Sequence, residues 1–259
     1  AFLFQGFRIR QQQEIRLLQE ICQFVWVDAR RSIGVKPQVA ENLAHVARAG
    51  AAGAFLINHD FDRDTFLPIL RQARRDHPDL WLGVNFLAED GRTGFPQLGA
   101  LAAEGLVLDA LWADDACLNE TRADQTEAEA IAAARAASGW QGLYFGGVAF
   151  KKQRPVAEAD YPASARLGAR WLDVVTTSGL ATGQAPDLAK IATFRAAIGD
   201  RPLALASGIT PENAAAFCAD VDCFLVATGI NRPGDFYTID PARLDALLAI
   251  TRTEGARHD

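Results

Sequence analysis

Leu203-Ala-Leu-Ala-Ser-Gly-Ile-Thr-Pro-Glu-Asn213, followed by Cys223-Phe-Leu-Val-Ala-Thr-Gly-Ile230, is the stretch that decides the fold. Each half is a short apolar run that breaks at a hydroxyl residue plus glycine. The first break leads into Thr210-Pro211, a good N-cap residue followed by the residue favoured at the first helical position. The pattern reads strand, glycine turn, helix, twice over. Parallel strands that end side by side in this way direct the N–H groups of their turns toward one spot, and an anion is favoured there.

Working outward from this pair, apolar runs bounded by turn residues alternate with Ala- and Leu-rich segments of helical period, which is the signature of βα units in a parallel sheet. Eight such units are present. Strands are expected at 23–27, 54–58, 81–85, 110–113, 142–145, 171–176, 203–207 and 224–227. Helices are expected at 39–49, 65–75, 97–104, 127–137, 157–167, 187–198, 211–219 and from 241 to about 252. In the last one, Leu244, Leu247, Leu248 and Thr251 share a stripe behind Asp240 and Pro241. A chain of 259 residues, 49% hydrophobic and 22% charged, fits a single-domain α/β fold, a (β/α)8 TIM barrel of roughly 250 residues. Residues 1–20 are then an N-terminal extension, with an amphipathic extra helix expected near 11–20.

The net charge of -6 and a pI near 5.3 provide no basic stripe, so nucleic acid is not an expected partner. No apolar run approaches the ~18 residues of a membrane span, and Ala1-Phe-Leu-Phe-Gln-Gly-Phe-Arg8 lacks the order of a signal peptide. A cytoplasmic protein is expected. Cys22, Cys117, Cys218 and Cys223 are scattered and read as reduced packing residues. Neither a metal nor a cofactor is expected, since His59 beside Asp60 and Asp62 would need ligands from other loops.

Polar residues recur where the strands end, at Asp28, Asn58-His59, Asn85, Asp114-Asp115, Thr176-Thr177-Ser178, Ser207 and Thr228. In a barrel of this type those C-terminal ends form the functional rim, although polar residues also begin ordinary loops. Asp28 and Asp114 are the carboxylates placed for general acid or base work. Each could equally cap its loop or pair with Arg30, Arg31 or Arg122. Asn58, Asn85 and Lys151 are read as orienting a ligand. Lys151 with Lys152 also reads as solvated charge, and a desolvated lysine there could form a Schiff base. Gly179, Thr182 and Gly183 lie in a glycine- and hydroxyl-rich loop that reaches toward the turns Ser207-Gly208 and Thr228-Gly229. These seven residues are the expected phosphate-binding set, aided by the dipole of a helix starting at Thr210-Pro211. On this reading Gly208→Val removes phosphate-ester binding with little change in fold. The Ala-rich helix at 127–137 could pack on a second subunit or on its own barrel, and a homo-oligomer is the expected assembly.

The stretches GLYFGGVAFKKQRPV (142–156), DVVTTSGLATGQAPDLAKI (173–191), ALASGITPENAAAF (204–217) and DCFLVATGI (222–230) resemble the BtpA/SgcQ family of TIM-barrel proteins, and the similarity extends back through GAFLIN (53–58) and LWLGVNFL (80–87). The resemblance implies a barrel related in its phosphate turns to phosphoribosylanthranilate isomerase. It further implies either a phosphoribosyl-handling enzyme or a photosystem I biogenesis factor. Where that isomerase has a cysteine acid at the end of its first strand, this chain has Asp28 nearby. The ligand expected from all of this is a small phosphorylated metabolite.

Overall fold

The computed structural model describes residues 3–4, 7–8, 23–28, 36–59, 63–151 and 153–255; of 3–4, 7–8, 23–28, 36–37, 63 and 255 it describes the backbone alone. Eight parallel strands close into a barrel in chain order: β1 (Gln23–Asp28), β2 (Gly53–Ile57), β3 (Trp81–Asn85), β4 (Ala110–Ala113), β5 (Leu143–Gly147), β6 (Val174–Ser178), β7 (Leu203–Ala206) and β8 (Cys223–Val226). β8 pairs with both β7 and β1, which shuts the ring. Around it run α1 (Lys36–Ala49), α2 (Arg63–Asp76), α3 (Gly91–Ala103), α4 (Thr126–Ser138), α5 (Tyr161–Trp171), α6 (Leu188–Ile198) and α7 (Pro241–Gly255). The fold is the expected (β/α)8 barrel. Ahead of it, Leu3–Phe4 pairs antiparallel with Phe7–Arg8, and the helix expected near 11–20 lies outside the described residues. Among the described residues no helix is long and apolar enough to cross a membrane.

Side-chain size fills the barrel. Phe55 stands at its centre, with the rings of Phe145, Trp81 and Trp112 at 5.1, 5.3 and 5.6 Å, all close to perpendicular. Gly83 leaves that space open, because a Cβ there would lie 2.3 Å from the Phe55 ring. A second apolar layer, between strands and helices, is built from residues such as Leu43, Leu56, Leu82, Leu98 and Phe194. α7 behaves as its stripe predicts: the Asp240 carboxylate accepts from Ala242 N at 2.9 Å, and Leu244, Leu247, Leu248 and Thr251 are buried.

At the opposite rim from the polar strand ends, one ionic device occurs three times. An aspartate immediately before β4, β6 and β8 accepts both an N–H from the start of the preceding strand and a guanidinium from the helix that leads into that strand. Asp109 accepts from Leu82 N and Arg74, Asp173 from Tyr144 N and Arg135, and Asp222 from Leu203 N and Arg195. Each cluster ties two strands and a helix at one point.

Four expected elements differ. α3 starts at Gly91 rather than 97, because the Asp90 carboxylate caps Arg92 N at 2.7 Å and Pro96 is accommodated inside the helix. α5 and β6 sit a few residues later than expected: Trp171 closes α5, so the strand begins at Val174. The expected helix at 211–219 is instead a 3-10 turn, Ala214–Phe217. The cap itself forms, with Glu212 N donating to Thr210 Oγ1 at 3.2 Å. However, Asn213 turns back on the loop, its carbonyl oxygen accepting from Thr210 N and its amide donating to Gly208 O, both at 2.8 Å. Such side-chain bonds to nearby backbone compete with helix propagation. The helix dipole expected beside Ser207-Gly208 is therefore absent.

Candidate functional site

The C-terminal rim is built strand by strand. Asp28 closes β1 level with Ile57, and its side chain lies outside the described residues. Asn58, just after β2, uses its carbonyl oxygen to accept from Leu87 N at 2.8 Å, which fixes the loop after β3. Asn85, fully buried at the end of β3, donates its amide to Asp114 Oδ1 at 3.0 Å. Asp114 is held from a second side as well, since Gln153 Nε2 donates to its main-chain carbonyl at 2.8 Å. Gly147 lies so close that a Cβ would fall 1.8 Å from the same oxygen. One expected acid/base group is thus fixed with a single carboxylate oxygen engaged by Asn85.

A second group forms where the loops after β5, β6, β7 and β8 meet. The Lys151 main-chain N–H donates to Ser178 Oγ at 2.9 Å. Its ammonium donates to Thr182 Oγ1 at 3.2 Å and to Ser207 Oγ. Lys151 is only 7% exposed, so the solvated reading does not hold. Thr182, Gly183, Ser207, Gly208, Thr228 and Gly229 line one cleft of about 10 Å3, room for about one water molecule. Six of the seven expected phosphate-loop residues therefore share a cleft. Gly179 is not among those lining it; a Cβ there would lie 2.2 Å from Gln184 O, so its role is to fold its own loop.

Gly208 has φ +72° and sits against the neighbouring loop, where a Cβ would fall 1.9 Å from Ala185 N; at Gly229 a Cβ would fall 1.8 Å from Ile209 O. These glycines bring loop backbones together. The expectation that Gly208→Val spares the fold is corrected accordingly. Ser207, with φ +74°, holds the same left-handed conformation without being glycine.

Lys190 belongs to this neighbourhood too, although its sequence surroundings give no hint of it. From α6 it donates to Ala149 O at 2.7 Å and Ser178 O at 2.8 Å, tying the loop that carries Lys151 to the end of β6. It lies over the rings of Tyr161 and Phe194, and burial pulls its amine down to about 8. Lys152 lies outside the described residues. Burial pushes the Cys117 thiol up to about 12 and that of Cys218 to about 11, which suits packing rather than nucleophilic use.

Fold and rim together define a (β/α)8 barrel whose last four loops meet around one buried lysine. Among solved structures it is similar to phosphoribosyl anthranilate isomerase from Thermus thermophilus (TM-score 0.59, 16% identity, 90% of this chain and 98% of that one). It is also similar to GGGPS from Thermoplasma volcanium (TM-score 0.63, 16% identity, 93% and 97%). A third is tryptophan synthase subunit alpha from Legionella pneumophila (TM-score 0.61, 15% identity, 93% and 97%). No family model and no curated protein matches the sequence. At these identities the likeness shows the fold.

Proposed function

We propose that this chain binds a small phosphorylated metabolite of the sugar or nucleotide type at the cleft around Lys151 and acts on it by acid/base chemistry. The observation that carries the reading is the Lys151 ammonium, buried and bonded to the hydroxyls of Ser207 and Thr182 beside three glycine-containing turns. An ammonium with hydroxyl and main-chain donors around it is a charge-assisted site for phosphate oxygens. Asp114, steadied by Asn85, keeps Oδ2 for a proton on the ligand body, and Asp28 at the end of β1 is its proposed partner. The resemblance to BtpA/SgcQ proteins supports a phosphoribosyl-type ligand, as does the similar structure named for phosphoribosyl anthranilate. An isomerase, transferase or lyase reaction fits this donor set.

A thermal-shift screen of phosphorylated metabolites, with inorganic phosphate as the minimal probe, tests the reading. Lys151→Met is expected to weaken the best ligand about 10- to 100-fold, the value of ~1.5–3 kcal/mol for charge-assisted bonds. An affinity unchanged in that variant sinks the assignment. With a substrate in hand, Asp114→Asn is expected to abolish turnover while leaving affinity within about tenfold. If turnover survives in Asp114→Asn and also in Asp28→Asn, these carboxylates do not carry the chemistry, whereas a wild type that binds the ligand and turns over none of the candidates is the biogenesis or regulatory factor of the alternative reading.

A further inference from the structure

We propose that the groove between α4 and α5 is the contact face of a two-fold symmetric dimer of this chain. The groove, about 900 Å3 in volume, has Leu167 and Trp171 among its apolar lining, with Glu129 of α4 on one wall and Arg166 and Arg170 of α5 on the other. All three charged side chains are exposed, and among the described residues none of them has a hydrogen bond or an ion pair. This contrasts with Arg74 of α2, Arg135 of α4 and Arg195 of α6, each of which holds a carboxylate. Opposite charges thus face one another across a gap that the chain leaves open.

Self-complementarity points to the occupant. A two-fold axis through the groove sets Glu129 against the partner's Arg166 and Arg170, and the same contact repeats in reverse, as an isologous interface requires. A uniformly anionic partner would meet Glu129 as a like charge, whereas a second copy neutralises both walls. Trp171, half-exposed beside Leu167, supplies the kind of aromatic anchor that carries binding energy once water is excluded. This moves the expected assembly face from the alanines of α4 to its acidic edge and the basic edge of α5. The inference is independent of the phosphate reading.

Light scattering at micromolar concentration is expected to give twice the chain mass of 28.0 kDa for the wild type. Arg166→Glu with Arg170→Glu should return it to the monomer mass, and adding Glu129→Arg to that pair should restore the dimer. Should the charge-reversed chain fail to fold by circular dichroism, Glu129→Arg alone serves in its place and should dissociate the dimer. The wild-type dimer should also weaken about tenfold from low to high salt. A wild-type monomer overturns the proposal. So does a dimer that none of these charge changes disturbs, because its contact then lies elsewhere.

Discussion

Gly208→Val is expected to destabilise the protein by about 4 kcal/mol, combining ~1–3 kcal/mol for a bulky residue at positive φ with ~1–3 kcal/mol for forced displacement of packed atoms. The two causes are separate. At φ +72° a β-branched residue is strained in any surroundings, and here its Cβ would also lie 1.9 Å from Ala185 N and 2.5 Å from Ala185 Cα. Those atoms are backbone and cannot swing aside as a side chain does, so the whole turn at 184–185 has to move. Gly183 provides the control: its φ is +81°, but nothing lies within 4 Å of a Cβ there, so Gly183→Ala should cost only the conformational part, about 1–2 kcal/mol. Urea unfolding of both variants reads the difference. Equal midpoints would mean that the two loops do not pack as described.

Asp173→Ala is expected to cost about 3–5 kcal/mol, the range for removing one partner of a buried ion pair. The Asp173 side chain is 3% exposed and accepts from Arg135 at 2.5 Å and from Tyr144 N at 2.7 Å. Truncation takes the carboxylate away from a guanidinium that keeps the Gly142 carbonyl, and it strips a buried strand N–H of its acceptor. The other two members of the repeat set a ranking, since Asp222 is 20% and Asp109 33% exposed. Water can replace more of what those two lose. Chemical denaturation of the three alanine variants should therefore order them Asp173, Asp222, Asp109 from largest to smallest loss. A loss at Asp109 as large as that at Asp173 would show that burial does not set the strength of these clusters.

Most of the barrel was legible because its strands are short apolar runs cut off by polar or glycine turns, and β7 and β8 carried that signal most clearly. Periodicity misled where a local side-chain bond outweighed it. Asp90 starts α3 across Gly91-Arg-Thr-Gly94, a stretch that reads as a turn, and Asn213 halts the helix that Thr210-Pro211 announces. The Arg–Asp clusters had a sequence trace, an aspartate directly before Ala110, Val174 and Cys223, but its partner arginines lie 27 to 38 positions earlier and no local pattern joins them. In the site, Ser207, Gly208, Thr228 and Gly229 could be found from their turns. Lys151 could be found as a charge but not as a buried one, because its surroundings are assembled from three other loops. Lys190 gave no local signal at all: its acceptors, Ala149 O and Ser178 O, become neighbours only when the barrel closes.

The contact of Lys151 with Ser207 and Thr182 has a consequence in time as well as in affinity. On the proposed reading, with the ammonium bonded to two hydroxyls and a cleft with room for about one water, an anion would enter by exchange, taking over bonds from hydroxyls rather than filling a waiting hole. Exchange of this kind is a two-step process. On that reading the Thr182 hydroxyl must release the ammonium before the anion settles, and the association rate is expected to stop rising with concentration once that release becomes the slow step. Under the proposed function, one lysine–threonine hydrogen bond would then set the pace of binding and the charge beneath it the strength.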